Sequence, residues 1–455
     1  MKSIVEAGRH IQVLAETQVL VVGGGPAGIA AALASARVGA KTMLVEYYGC
    51  FGGNITHSGV ESVAWFRHEG TIEAGGILRE LEETAKNMGA SHDECQSISQ
   101  ALDTELFKCV IDKLLLEAGV IPLLHCTAVD AIVEEGKIKG IITESKSGRA
   151  AIMAQRVIDC TGDADVAAHA GVPFVKPQKE GLMAVTPMFH VSGVNAARFQ
   201  YYIKQELKPT YRDWGGYWEQ QLDDDETLDM FSPFFDECFH RAYEEGIIPM
   251  IPHVTIGGTY STVTADGNVT GLNMIYICNI DCTDVFDLTK AEMQGRQNVL
   301  YALQAMRKYL PGFENVKLRN FAMQVGVRDS RRIRGHYWLT ADDVMSEARF
   351  EDSIGVYPEF VDGRGVLLIP TTGRYFHVPY RALLPQHVDN LLVAGRCISG
   401  DDIAFCAFRN ISCCLLTGQA AGVAAAISLR EGVTTQNVTV AAVQQTLKSQ
   451  GVRIF

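Results

Sequence analysis

Positive charge is the scarcer sign in this chain. Its 40 Lys and Arg stand against 53 Asp and Glu, a net charge of −13. That balance argues against nucleic acid or an anionic membrane as the main partner. A few local arginines can still hold an anionic small molecule. Long apolar runs are also missing. Val19–Val22 is cut off at once by Gly23, and the stretch Cys413–Ile427 is too short to span a bilayer, so no membrane segment is expected. Met1–Glu16 is mixed and polar, unlike a secretory leader, and a cytoplasmic location is expected. No C-x-x-C occurs among the 12 cysteines: Cys278 and Cys282 are four apart, and Cys413 and Cys414 are adjacent. This spacing argues against a zinc site and a dithiol relay, so the cysteines are expected to be reduced and no metal is expected. Repeats and low-complexity tracts are absent. What remains is a chain of 455 residues, 47% apolar, long enough for roughly two to three domains.

The informative segment lies near the start. Gln18–Val22 reads as a buried parallel strand. It runs into Gly23-Gly24-Gly25-Pro26-Ala27-Gly28, a G-x-G-x-x-G, and then into a small-residue helix over Ile29–Val38. Lys41–Glu46 reads as a second strand ending in an acid, about 20 residues past the glycines. Each part has a physical task in binding a dinucleotide. Gly23 permits the tight turn, Gly25 lets the backbone approach a pyrophosphate, and Gly28 lets the helix pack on the strand. Pro26 and Ala27 open the helix, whose free N–H groups and positive end face the phosphates. Glu46 accepts the ribose hydroxyls.

The segment after Glu46 bears on which dinucleotide is held. Tyr47, Gly52, Gly53 and Asn54 fall in a run whose glycine pair resembles the second flavin segment of glutathione-reductase-like flavoproteins. Ala128–Val133, Lys137–Thr143 and Ala150–Val157 read as three short strands joined by turns, a β-meander, with Ala128 near the cofactor. The run ending in Cys160-Thr161-Gly162-Asp163-Ala164-Asp165 resembles the strand that closes over the flavin. With the arginine-rich run Arg328 to Arg334, the Pro379-Tyr380-Arg381 segment and Asn390–Ser399, most of the chain resembles the FAD-dependent oxidoreductase family, relatives of the fumarate reductase and succinate dehydrogenase flavoproteins. That resemblance implies FAD. It also implies an α/β fold: a Rossmann-like FAD-binding domain, parallel sheet plus β-meander, with an inserted α+β substrate or cap domain. Residues 1–174 and 326–455 would form the FAD-binding domain and 175–325 the insertion. Gly395 and Arg396 begin a loop after a buried strand. A helix starting at Thr417 would point its N-terminus, with Gln419 and Ala420, at the flavin. Packing of that helix on the first one is the structural alternative.

In the insertion, Tyr211–Tyr243 is dense in aromatic and acidic residues, which suits a cap, a helical subdomain or a subunit contact. Asp266-Gly267 marks a hairpin. Thr289 and Glu292 read as a capping box for a helix over Leu288–Tyr309. For catalysis, Arg328 is the first candidate contact to substrate or flavin, since guanidinium binds carboxylates bidentately. His377 is the preferred base, against a core histidine. Asp401 and Asp402 are further candidates, where family members carry histidines. Arg331, Arg332, Arg334, His336, Arg374, Arg381 and Arg409 lie in the same stretches, and pairing of the arginines with Asp329, Asp342 and Asp343 is the structural alternative. His57 is a conceivable covalent flavin link. No second G-x-G-x-x-G is present for a nicotinamide, and the electron acceptor is not readable. The expected function is hydride transfer between FAD and a small organic substrate, carboxylate- or hydroxyl-bearing. A flavin monooxygenase and an FAD-retaining protein without turnover are the alternatives. A homodimer is the default expectation.

Overall fold

A computed structural model describes residues 4, 8, 10–63, 71–93, 99–207, 235–358, 360–363, 366–368 and 373–455. The first strand, β1, runs Gln12–Val22, six residues longer at its start than the apolar run suggests. Its first half is largely exposed and is held by its ladder to the strand Gly148–Asp159, with Gln12 opposite Ala150. Backbone pairing, not burial, makes it a strand. The first helix, α1, spans Pro26–Arg37, with Pro26 in its first turn, where a missing N–H costs nothing. The second strand, β2, is Thr42–Val45 and pairs parallel to β1, Val19 opposite Thr42.

These elements belong to a seven-stranded mixed sheet. Ile121–Leu123, β2, β1 and Gly148–Asp159 follow one another in parallel. The meander Thr127–Glu134, Lys137–Ser145, Gly148–Asp159 completes one edge. Near the other end of the chain, Leu391–Val393 pairs in parallel with Val157–Asp159. The sheet is therefore built from both ends of the sequence. One face is covered by α1 and by the helix Ile411–Glu431, whose alanines and glycines allow close approach.

A second sheet, of five strands, orders Val254–Thr259, Val269–Ile277, Phe189–Ser192 and Lys317–Phe321, with Thr262–Val263 also on Val269–Ile277. Gly267 turns the hairpin with positive φ. The sheet has its own core, from Val185 to Val325, capped by the helices Asp236–Glu244 and Val285–Tyr309. Phe199 centres it, with ring centroids 4.8 Å from Phe313 and 5.4 Å from Tyr260. This is the α+β insertion, and the molecule as a whole has an α/β fold.

Two element readings are corrected, and a third lies largely outside the described residues. The helix over Val285–Tyr309 is capped by Asp284, which accepts from Phe286 and Asp287 N–H. Thr289 instead donates to the Val285 carbonyl, and Glu292 accepts from Val325 N–H. The apolar C-terminal stretch is a helix of 21 residues, Ile411–Glu431, long enough to cross a membrane. It is buried in the protein instead. Of the aromatic cap segment, Tyr211 to Phe234 lies outside the described residues; Phe235 and Phe239 pack in the core of the second sheet.

Candidate functional site

The dinucleotide end follows from close backbone approach. Gly23 has φ +98°, and a Cβ there would lie 2.5 Å from the Cys160 carbonyl oxygen. A Cβ on Gly28 would lie 1.7 Å from the Gly23 oxygen, so α1 can sit on β1 only without a side chain there. No side chain caps the N-terminus of α1 at Gly25, Pro26 and Ala27, which leaves its positive end open for an anion. Glu46 is buried at the end of β2, accepting from Gly24 N–H at 2.7 Å and Tyr48 N–H at 3.0 Å. Gly53 faces Gly25 so closely that a Cβ on it would meet the Gly25 Cα at 2.6 Å, and Gly52 N–H donates to the Gly24 carbonyl.

Two later segments join these turns. Asp159 is fully buried and accepts from the N–H and hydroxyl of Thr161 and from Ala167 N–H; burial pushes its carboxyl up to about 6. It fixes the loop Cys160-Thr161-Gly162. Gly395 N–H donates to the Thr417 hydroxyl, and a Cβ on Gly395 would lie 3.1 Å from the Ala27 Cβ. Arg396 pairs with Asp163 at 2.5 Å beside Gly162. The chain thus brings together Gly23–Gly28, Glu46, Gly52 and Gly53, Cys160–Gly162 and Gly395–Arg396. A cradle that any Cβ would fill, an open helix N-terminus and a buried acceptor suit the pyrophosphate and ribose of a dinucleotide. Tyr47 is half exposed and donates to Gln324 at 3.2 Å. Ala128 sits in the strand Thr127–Glu134, opposite Thr143.

A cavity of about 970 Å³ adjoins this cradle. Asn54 and Arg396 line it on behalf of the sheet segments, and Tyr243, Tyr260 and Tyr276 on behalf of the insertion. Arg328, Arg409, Asn410 and Ile411 also line it. Two of its three guanidiniums have carboxylate partners: Arg396 has Asp163, and Arg409 has Asp362 at 3.0 Å. Among the described residues Arg328 is bonded only to neutral groups, the Ala184 carbonyl at 2.9 Å, the Thr186 hydroxyl at 2.7 Å and the Asn273 amide oxygen at 3.1 Å, under the Tyr276 ring. Burial pushes its guanidinium below its ordinary value, yet guanidinium stays charged in proteins.

The other catalytic candidates are placed elsewhere. His377 is a core histidine: it is buried, accepts from Phe350 N–H and packs edge-on against Phe455. Asp401 caps the helix Asp402–Phe408, accepting from Ile403 and Ala404 N–H, and also takes Ala341 N–H. Asp402 pairs with buried Arg332. Most of the remaining arginines are structural, though with other partners than expected: Arg331 pairs with Asp165, Arg381 with Asp352 and Arg374 with Glu347, while Asp343 belongs to a capping box with Thr340. The expected flavin-facing helix starts at Ile411, not Thr417, so Gln419 and Ala420 are mid-helix and buried. The Gln419 amide oxygen instead accepts from Ile77 N–H. The N-terminus that opens on the cavity is at Asn410 and Ile411, and asparagine before an apolar run was the readable signal for it. His57 bonds to the Cys50 carbonyl and packs at a tilt against Tyr48.

The paired glycine turns, the buried Glu46 and the adjoining cavity define a dinucleotide-binding protein with room for a substrate beside the cofactor. The sequence signature of the FAD dependent oxidoreductase family matches residues 18–447, and the chain belongs to that family, with FAD as its cofactor. It is 31% identical over 175 residues to thiamine thiazole synthase of Methanococcus vannielii, covering 36% of this chain and 64% of that one. The same enzyme of Sulfolobus acidocaldarius is 29% identical over 166 residues, 34% and 59% of the two chains. The chain therefore spans less than two thirds of these relatives. Among solved structures, a geranylgeranyl bacteriochlorophyll reductase-like protein of Thermoplasma acidophilum aligns over 96% of this chain and 82% of its own, with TM-score 0.45 and 14% identity. A p-nitrophenol 4-monooxygenase of Pseudomonas putida aligns over 96% and 85%, with TM-score 0.47 and 10% identity.

Proposed function

We propose that this flavoenzyme transfers a hydride between FAD and a small carboxylate-bearing substrate held in the cavity at Arg328. The observation that carries the reading is the partly buried Arg328 guanidinium, which lines the cavity with no carboxylate pairing to it among the described residues. A partly desolvated cation without a counter-ion is costly, and a ligand carboxylate offsets that cost with two parallel N–H···O bonds. The acid that bears on it, Asp362, is bonded to Arg409. Bound FAD supplies a two-electron carrier. The protein's part is positional: Thr186, Asn273 and the Ala184 carbonyl fix the guanidinium, and the tyrosines exclude water from the reacting carbon.

The test is a titration of the FAD-loaded protein with trans-cinnamate and its neutral amide, followed in the flavin visible spectrum. Cinnamate is expected to perturb the spectrum and the amide to bind far more weakly. Arg328→Met should raise the cinnamate Kd roughly 100-fold, the loss of a charge-assisted pair of about 3 kcal/mol. Equal binding of acid and amide, unchanged by Arg328→Met, would sink the carboxylate reading. Substrate-dependent oxygen uptake with a hydroxylated product would replace hydride transfer by oxygenation.

A further inference from the structure

Glu61 belongs to none of the segments assigned above, yet its side chain lines the same cavity as Arg328. It is 4% exposed, on the connection that follows the Gly52-Gly53-Asn54 turn. One carboxylate oxygen accepts from the Thr270 hydroxyl at 2.5 Å, and the other faces His190 Nε2 at 3.3 Å. Thr270 and His190 sit on neighbouring strands of the second sheet, Val269–Ile277 and Phe189–Ser192. Gly271 leaves Glu61 its room: a Cβ there would lie 3.1 Å from the carboxylate.

Burial pushes the Glu61 carboxyl up to about 8 and the His190 imidazole down to about 4. At neutral pH Glu61 therefore carries a proton and His190 is neutral. The other charges bearing on the pair are Arg319, which lowers both, Asp103, which raises both, and Glu105, which raises His190. A protonated carboxyl lining the same cavity as a charged guanidinium that can orient a carboxylate is the arrangement that proton transfer to substrate requires.

We infer that Glu61 is the catalytic acid of this enzyme, giving its proton to the substrate held at Arg328, with Thr270 and His190 as positioning residues. This rests on the hydride-transfer reading. In the reductive direction, bound reduced FAD would supply a hydride, and a C–H bond would form at one carbon of the substrate double bond. The π pair moves to the neighbouring carbon, which forms its own C–H bond with the Glu61 proton. The Glu61 O–H bond breaks and leaves a carboxylate, which regains a proton from solvent through the cavity. The substrate gains two electrons and two hydrogens, and the cofactor ends oxidised. Dehydrogenation runs the same steps backwards.

The experiment compares the wild type with Glu61→Gln and Thr270→Val, each loaded with FAD and reduced by dithionite without oxygen. Reoxidation by trans-cinnamate is followed in a single turnover across pH, and the carboxyl infrared band is titrated in parallel. Glu61→Gln should slow reoxidation at least ~100-fold with little change in cinnamate Kd, and should remove the limb of the pH profile near 8. A carboxyl band that titrates near 8 and shifts on cinnamate binding should vanish in the same variant. Thr270→Val, which removes a bond to the carboxylate form, should move the limb upward, and it serves if Glu61→Gln does not fold. Equal rates in wild type and Glu61→Gln, or a limb unmoved by Thr270→Val, would overturn the assignment. If cinnamate fails to reoxidise the wild type, the hydride reading fails for this substrate class. The infrared band then decides whether Glu61 is a titrating acid in contact with the cavity; its absence overturns the assignment on its own.

Discussion

Glu61 and His190 face each other with their pKa values pushed in opposite directions, both toward the uncharged form, and this sets a pH window for stability. His190 is held neutral by burial, so the stability it contributes is present above its ordinary value near 6.5 and is lost as pH falls toward about 4. Glu61 is held protonated, so its contribution is present below about 4.5 and is lost as pH rises through about 8. Between about 4.5 and 6.5 the two slopes oppose each other; above that Glu61 acts alone. Urea unfolding should therefore show stability falling from pH 6.5 to 8 in the wild type, with a flatter profile for Glu61→Gln. Parallel profiles for the two proteins would show that Glu61 ionisation is not linked to folding. Residues of this kind carry no motif. Arg328 stood out because it lies in an arginine-rich run, whereas nothing around Glu61 in the sequence marks it as buried or aims it at a cavity. His377, Asp401 and Asp402 show the converse: position near a familiar segment suggested chemistry, and the fold uses them for packing, capping and pairing.

At the scale of elements, the contact between α1 and the helix Ile411–Glu431 governs the cofactor cradle. A Cβ on Gly418 would lie 2.1 Å from the Ala27 carbonyl oxygen, and one on Gly422 would lie 2.2 Å from that of Ala31. Both neighbours are backbone, which cannot move aside as a flexible side chain can. Gly422→Ala gains helix propensity of about 1 kcal/mol but forces the helices apart, an overpacking cost of about 1–3 kcal/mol or more. Because Ala27 lies in the first turn of α1, the shift should reach the pyrophosphate turn. The variant should melt at lower temperature and carry less FAD per chain by absorbance; undiminished FAD and melting temperature would refute this coupling. The strand, glycine turn, helix and acidic strand end were all legible, because each depends on neighbours a few residues away. The exposed half of β1 was not, since it is held by a partner strand more than a hundred residues later. The start of the C-terminal helix was misplaced for a related reason: its first turns are as apolar as its middle, so periodicity gives no edge.

Over the whole molecule, the cofactor cradle is assembled from four segments, Gly23–Gly28, Gly52–Asn54, Cys160–Gly162 and Gly395–Arg396, spread across most of the chain. FAD should accordingly act as a tie between the two ends of the sequence. At a ligand concentration about 100 times its Kd, binding to the folded state adds about 2.7 kcal/mol. FAD removal should lower the melting temperature and re-addition restore it, and acid denaturation should release the flavin into the supernatant, since His57 is engaged with the Cys50 carbonyl. Colour retained in the precipitate would mean a covalent link instead. The amino-acid sequence alone determined the dinucleotide fingerprint, the choice of small residues where backbones must touch, and the short strands and turns that make the meander, because these depend on local conformation and steric size. Only the tertiary structure decided which arginine lacks a counter-ion among the described residues, which acids are caps and which carboxyl keeps its proton, because ion pairing and desolvation depend on groups that folding brings together from distant parts of the chain.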